Sequence, residues 1–195
     1  MKTSDSLTVD GLLVVGDQQE IDRVVQALSL IRQHDPIRYR RLARDLSRIW
    51  ILAIPYRGQF SVGTWTCQLD QRFVLDKKTS CELIASVIVH EATHARLARF
   101  GIEYREELRQ RIEQTCIRRQ MAFTKALPGA AEAFDEADRM LNALPDMSDT
   151  AMAEQALAAE VEAARYVGVP EWLLRRMIAL RRWRNRRLAA KSRRN

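Results

Sequence analysis

Apolar positions along the chain recur mostly at helical spacing, with short β-type runs confined to its N-terminal half. Leu12–Val15 is the first such run. The stretch "QQEIDRVVQALSLIRQ" then sets Ile21, Val24, Val25, Leu28 and Ile31 at the spacing of one helix face. Asp35-Pro36 opens a second helix, "PIRYRRLARDLSRI", with proline in the first turn, where its missing N–H costs nothing. The continuous apolar run "IWILAI" (Ile49–Ile54), stopped by Pro55, predicts a buried strand, and "FSVGTWT" and "RFVLD" (Arg72–Asp76) predict two more. In "TSCE", Thr79 as N-cap and Glu82 three residues on form a capping box for a long helix ending near Gly101. Helical patterns follow over about Glu103–Leu127, over "AAEAFDEADRMLNAL" and over "DTAMAEQALAAEVEAARYV", and a last one starts at Pro170. The order predicts an α+β chain, mostly helical, with a small sheet beside one long central helix and additional C-terminal helices.

Composition changes this picture little. The chain has 195 residues, 47% apolar and 29% charged, with only seven glycines and five prolines, which suits one domain rich in regular elements. Charge divides it. Residues 171–195 carry ten Lys/Arg against one Glu, so the net +7 is a property of a basic C-terminal helix and tail, and residues 1–170, the expected domain, are close to neutral. The N-terminal run is too short and too interrupted for a secretory signal, and no stretch reaches the length of a membrane span, so a cytosolic protein is expected. Cys67, Cys81 and Cys116 lack C-x-x-C spacing and read as reduced core thiols.

The chemistry concentrates in "VIVHEATHARL" (Val87–Leu97), which holds two of the three histidines in the chain. Four residues apart on a helix, His90 and His94 share one face and can aim ring nitrogens at a single ion. Glu91 lies about 100° round the helix axis, near enough to reach a water at such an ion without ligating it. Catalytic zinc takes three protein ligands, so a third must come from elsewhere. His34, in a loop upstream, is a poor candidate. Glu113, after eighteen intervening residues on the next helix and beyond the turn at Gly101, is the best one. Glu103, Glu106 and Glu107 lie close to the turn, and Glu154, Glu160 and Glu162 require a later helix to cross over. Cys116, one turn past Glu113, reads as a small core residue.

H-E-A-T-H followed by Glu113 resembles the H-E-x-x-H…E arrangement of the gluzincin branch of zinc metallopeptidases, over roughly Arg72–Gln120. The resemblance implies a zincin-like fold, Zn²⁺ held by His90, His94 and Glu113, Glu91 as catalytic base, and a peptide or protein substrate. It also implies that "RFVLD" is the edge strand along the cleft. Tyr104 and Tyr166 are the candidates for steadying the oxyanion. The rival expectation is a non-catalytic scaffold that docks nucleic acid, an anionic surface or a partner protein through residues 175–195. For the apolar residues of 171–195 (Trp172, Leu173, Met177, Ile178, Leu180 and Trp183), the favoured reading is a stripe packed on the body.

Overall fold

The computed structural model describes residues 5–180. Strand β1 (Asp5–Val9) turns through Asp10-Gly11 into β2 (Leu12–Gly16). Both turn residues have positive φ, 49° and 85°, the backbone a two-residue hairpin demands, and Asp-Gly is the pair that adopts it at least cost. The strand β1 is absent from the periodicity reading, although this dipeptide signals it.

Leu12, Val14 and Gly16 face the core and alternate with half-buried neighbours. The chain then crosses over through α1 (Gln18–His34) and α2 (Pro36–Asp45) to β3 (Arg48–Leu52), which lies parallel to β2. A hairpin of β4 (Gly58–Ser61) and β5 (Thr66–Asp70) places β5 parallel to β3 and leaves β4 at the sheet margin. The strand order is β1-β2-β3-β5-β4.

"RFVLD" is not a strand. Its residues form the short helix α3 (Gln71–Leu75), because "TCQLD" immediately before it occupies the place beside β3. Arg72 turns back to Asp70 Oδ2 at 2.9 Å, and Arg23 from α1 caps the carbonyls of Val74, Asp76 and Thr79. A five-residue run carries too little periodicity to separate a strand from a helix turn, and these long-range caps decide it.

The long helix α4 (Cys81–Arg99) is capped by Ser80, whose hydroxyl accepts from Leu83 N–H at 3.1 Å, one residue later than the capping box suggests. Thr79 points inward and its carbonyl is taken by Arg23. Every residue from Leu83 to Ala92 is buried, so the helix is covered on all sides: by α1 and the sheet on one flank, by α5 (Glu106–Ala126) on the other. Gly101, with φ 75°, ends α4 as expected and starts the turn into α5. The chain continues through α6 (Ala131–Asn142), α7 (Asp149–Tyr166) and a further helix over residues 171–180. On that last helix only Leu174 is fully buried; Trp172, Leu173, Met177 and Leu180 are exposed, so most of the expected packed stripe faces outward. Trp183 and the rest of the basic tail lie outside the described residues.

The C-terminal end of α4 is held by Asp45, whose fully buried carboxylate meets Arg96 at 3.2 Å and Arg44 and Arg99 at 3.1 Å. Asp45→Ala should lower stability by about 1–3 kcal/mol, the loss of hydrogen bonds to a buried charge softened by arginines that can turn to water. Urea unfolding should show a lower midpoint at unchanged slope.

Candidate metal centre

Helices α4 and α5 run antiparallel, since late α5 residues meet early α4 residues: Gln120 touches Ser86 and His90, whereas Glu113 touches His90 and His94. Between them lies a polar seam. Ser86, His90 and His94 follow one another at four-residue steps on α4, and Glu113, Cys116 and Gln120 share the facing stripe of α5.

Three of the expected groups come together. His90 Nε2 and His94 Nε2 are 3.2 Å apart, and the Glu113 carboxylate sets one oxygen 3.3 Å from each. Neighbouring ligands on a tetrahedral ion at bonds of about 2.0–2.1 Å stand about 3.3–3.4 Å apart, close to the His90–His94 gap; the two carboxylate gaps run to different oxygens, Oε2 to His90 and Oε1 to His94. The residues fit a metal ion on chemical grounds too. Two imidazole nitrogens that present lone pairs, together with a carboxylate, make a donor set suited to a divalent ion; without an ion, an imidazole N–H can instead donate to Glu113. Burial opposes protonation of His90, but the Glu113 and Glu91 carboxylates outweigh it and raise its pKa above the ordinary imidazole value. Burial likewise opposes ionisation of Glu113, and its bonds to the two imidazoles overcome this and hold its carboxyl far below the usual carboxylate range.

Sequence reasoning missed what orients His90. Ser86 Oγ donates to Leu83 O at 2.9 Å, which leaves its lone pairs to accept from Gln120 Nε2 at 3.2 Å. That fixes the amide of Gln120 with Oε1 toward His90 Nδ1, 3.1 Å away. Nδ1 therefore carries a hydrogen, and Nε2 presents its lone pair to the cluster. The available signal was spacing: Ser86 is one step of four before His90, and Gln120 is two turns beyond Glu113.

Cys116 also belongs here. Its Sγ and one ring nitrogen of each histidine all lie within 4.8 Å of one another, so His90, His94 and Cys116 form a group that could hold a metal ion. Burial, with Glu113 and Glu91, pushes its thiol pKa well up.

No family model, curated protein or solved structure matches the chain. The site is therefore read from its own geometry.

The cluster forms the floor of a cleft of about 790 Å³ lined by β4, α4, the Gly101 turn, α5 and the start of α7. Glu91 lines it as well. It is buried, and burial raises its carboxyl pKa, while the two imidazoles and the backbone N–H of Phe60 on β4 pull the other way. This close approach of β4 to α4 explains Gly58: a Cβ there would stand 2.6 Å from Val87 Cγ1 and 2.9 Å from Glu91 Oε1.

Tyr104 lines the cleft, with its ring edge-on to His94, and its hydroxyl donates to Glu113 Oε1 at 2.6 Å. Burial and the Glu113 charge keep that phenol neutral by raising its pKa far above the ordinary value. Tyr166 is not at this site; its ring lies under Arg72, beside a separate pocket bordered by Trp50 and Leu75. Of the other candidate ligands, Glu103 lines the cleft without joining the cluster, Glu162 faces Arg72, and His34 ends α1 outside the cleft.

Two outcomes follow. If the cluster holds a metal ion, Gln120→Leu should weaken its binding by about 10–100-fold, with partial recovery in Gln120→Glu, which keeps the acceptor; competition against a chromophoric chelator measures both. Gly58→Ala should cost about 1–3 kcal/mol by forcing β4 away from Val87 and Glu91, seen as a lower unfolding midpoint.

Proposed function

We propose that this chain is a zinc-dependent hydrolase that cleaves peptide bonds, on a zincin-like plan. The observation that carries the reading is the convergence of His90 Nε2, His94 Nε2 and the Glu113 carboxylate at the floor of an open cleft, with a buried glutamate beside them that none of the three uses. His90, His94 and Glu113 would hold the ion. Zinc bound there supplies Lewis acidity, polarising the scissile carbonyl and making a water more acidic.

The remaining steps belong to the protein. Glu91 accepts the proton of the attacking water on its carboxylate and returns it to the leaving amine nitrogen. Its burial suits this work, because a carboxyl with a raised pKa is a stronger base than a solvated one. The Phe60 N–H holds that carboxylate in place. Tyr104 is the available donor for the developing oxyanion, and to serve it must exchange its bond to Glu113 for one to substrate.

The role expected of "RFVLD" falls instead to β4, which ends the sheet, leaves its outer edge unpaired among the described strands and borders the cleft through Gln59 and Phe60. An extended peptide can add to such an edge. Phe60, Val62, Leu97, Ile102, Met147 and Met152 give the cleft an apolar lining, which favours a bulky apolar side chain near the scissile bond.

A docking role for the C-terminal end is compatible with this activity and is favoured by one feature. Trp172, Met177 and Leu180 are exposed on the helix that leads into the basic tail, a surface suited to an anionic partner such as nucleic acid or an acidic membrane face. No helix among the described residues is long and apolar enough to cross a membrane.

Glu91→Gln should retain one zinc per chain and lose about 10²–10⁴-fold in turnover of a peptide substrate with apolar residues around the cleaved bond. Parent-like turnover by that variant would remove Glu91 from the mechanism, and a parent chain that binds no zinc would remove the enzyme reading altogether.

A further inference from the structure

The three-ligand arrangement leaves one buried nucleophile of the same seam without a part. Cys116 lies three residues after Glu113 on the same face of α5, wholly inaccessible, and it is not among the residues lining the cleft, whereas His90, His94 and Glu113 all are. Its sulfur therefore stands on the protein side of the cluster. It is also within 4.8 Å of a ring nitrogen of each histidine, a distance that small side-chain adjustments bring to the spacing of two ligands on one ion.

Resting on the metal-dependent reading above, we propose that Cys116 is a fourth protein ligand, a thiolate that approaches the ion from the side away from the cleft. Binding would release the thiol proton to solvent. The shell would then be His₂-Glu-Cys: one carboxylate and two imidazoles at the cleft face and one sulfur behind.

Two consequences separate this from a three-ligand site. A soft thiolate turns the centre toward Zn²⁺, Co²⁺ and Cd²⁺ and away from Mg²⁺, Ca²⁺ and Mn²⁺. Four protein ligands also complete a tetrahedral shell, so a group entering from the cleft must expand the shell or displace a ligand. Glu113 is the ligand placed to yield, since it alone is already bonded to a cleft donor, the Tyr104 hydroxyl.

The test uses the metal-free full chain titrated with Co²⁺ and read by absorption. The expected result is visible d–d absorption of a four-coordinate ion together with a near-ultraviolet thiolate-to-cobalt charge-transfer band. In Cys116→Ser and Cys116→Ala the visible bands should persist while the near-ultraviolet band is lost. Visible bands without the near-ultraviolet band in the parent chain would overturn the thiolate ligand and leave the His₂-Glu centre standing. A near-ultraviolet band undiminished in both variants would overturn it too, by assigning the sulfur to Cys67 or Cys81. Absence of all bands in the parent chain would overturn the metal centre itself, and the proposed function with it.

Discussion

A carboxylate buried beside two imidazoles needs a donor or a positive charge from its neighbours, and the polar seam between α4 and α5 is arranged around that requirement. The His90 and His94 nitrogens and the Glu113 carboxylate sit where water is scarce, each within 3.3 Å of its neighbours. An imidazole N–H, or a cation among them, offsets the hydration that the carboxylate loses. The surrounding residues serve this core. Gln120 and Ser86 hold one imidazole in a single tautomer, Tyr104 supplies a hydrogen to the carboxylate, and α1 and the sheet keep the rest of α4 dry.

Much of this was legible in residue order. The long helices α1, α4 and α5 follow from apolar spacing because each spans several turns, and the end of α4 follows from Gly101. The pairing of His90, His94 and Glu113 was legible because helical spacing and a short turn together restrict which side chains can meet. The strand β1 and the helix α3 were not, for different reasons. In β1 only Leu7 and Val9 alternate with polar Ser6 and Thr8, too short a run to stand out alone, and the Asp10-Gly11 turn becomes informative only with β2 beside it. Helix α3 is set by capping from Arg23, about fifty residues away in sequence, and no local window contains that information.

Part of the site was hidden for a similar reason. Gln120 and Cys116 look like ordinary members of a charged helix until α4 is laid against them. Gly58 looks like a loop residue, yet it stands where a strand touches Val87 and Glu91. A glycine chosen for closeness rather than for turn geometry leaves no mark in φ, and it becomes visible only once the neighbouring helix is in place. The exposed Trp172, Met177 and Leu180 show the converse: apolar spacing establishes a helix stripe but not that anything covers it.

The turn at Gly101 has a consequence for how metal and folding are linked. It joins two helices on which His94 and Glu113 are separated by only eighteen residues, so an ion tying them together would close a short loop. Short loops are cheap to close in the unfolded chain, and a cross-link across one removes comparatively little disorder from it. The apolar cluster that runs from Leu12 to Ala133 needs no ion to hold it together. An ion bound in this seam would thus add comparatively little to the stability of the fold.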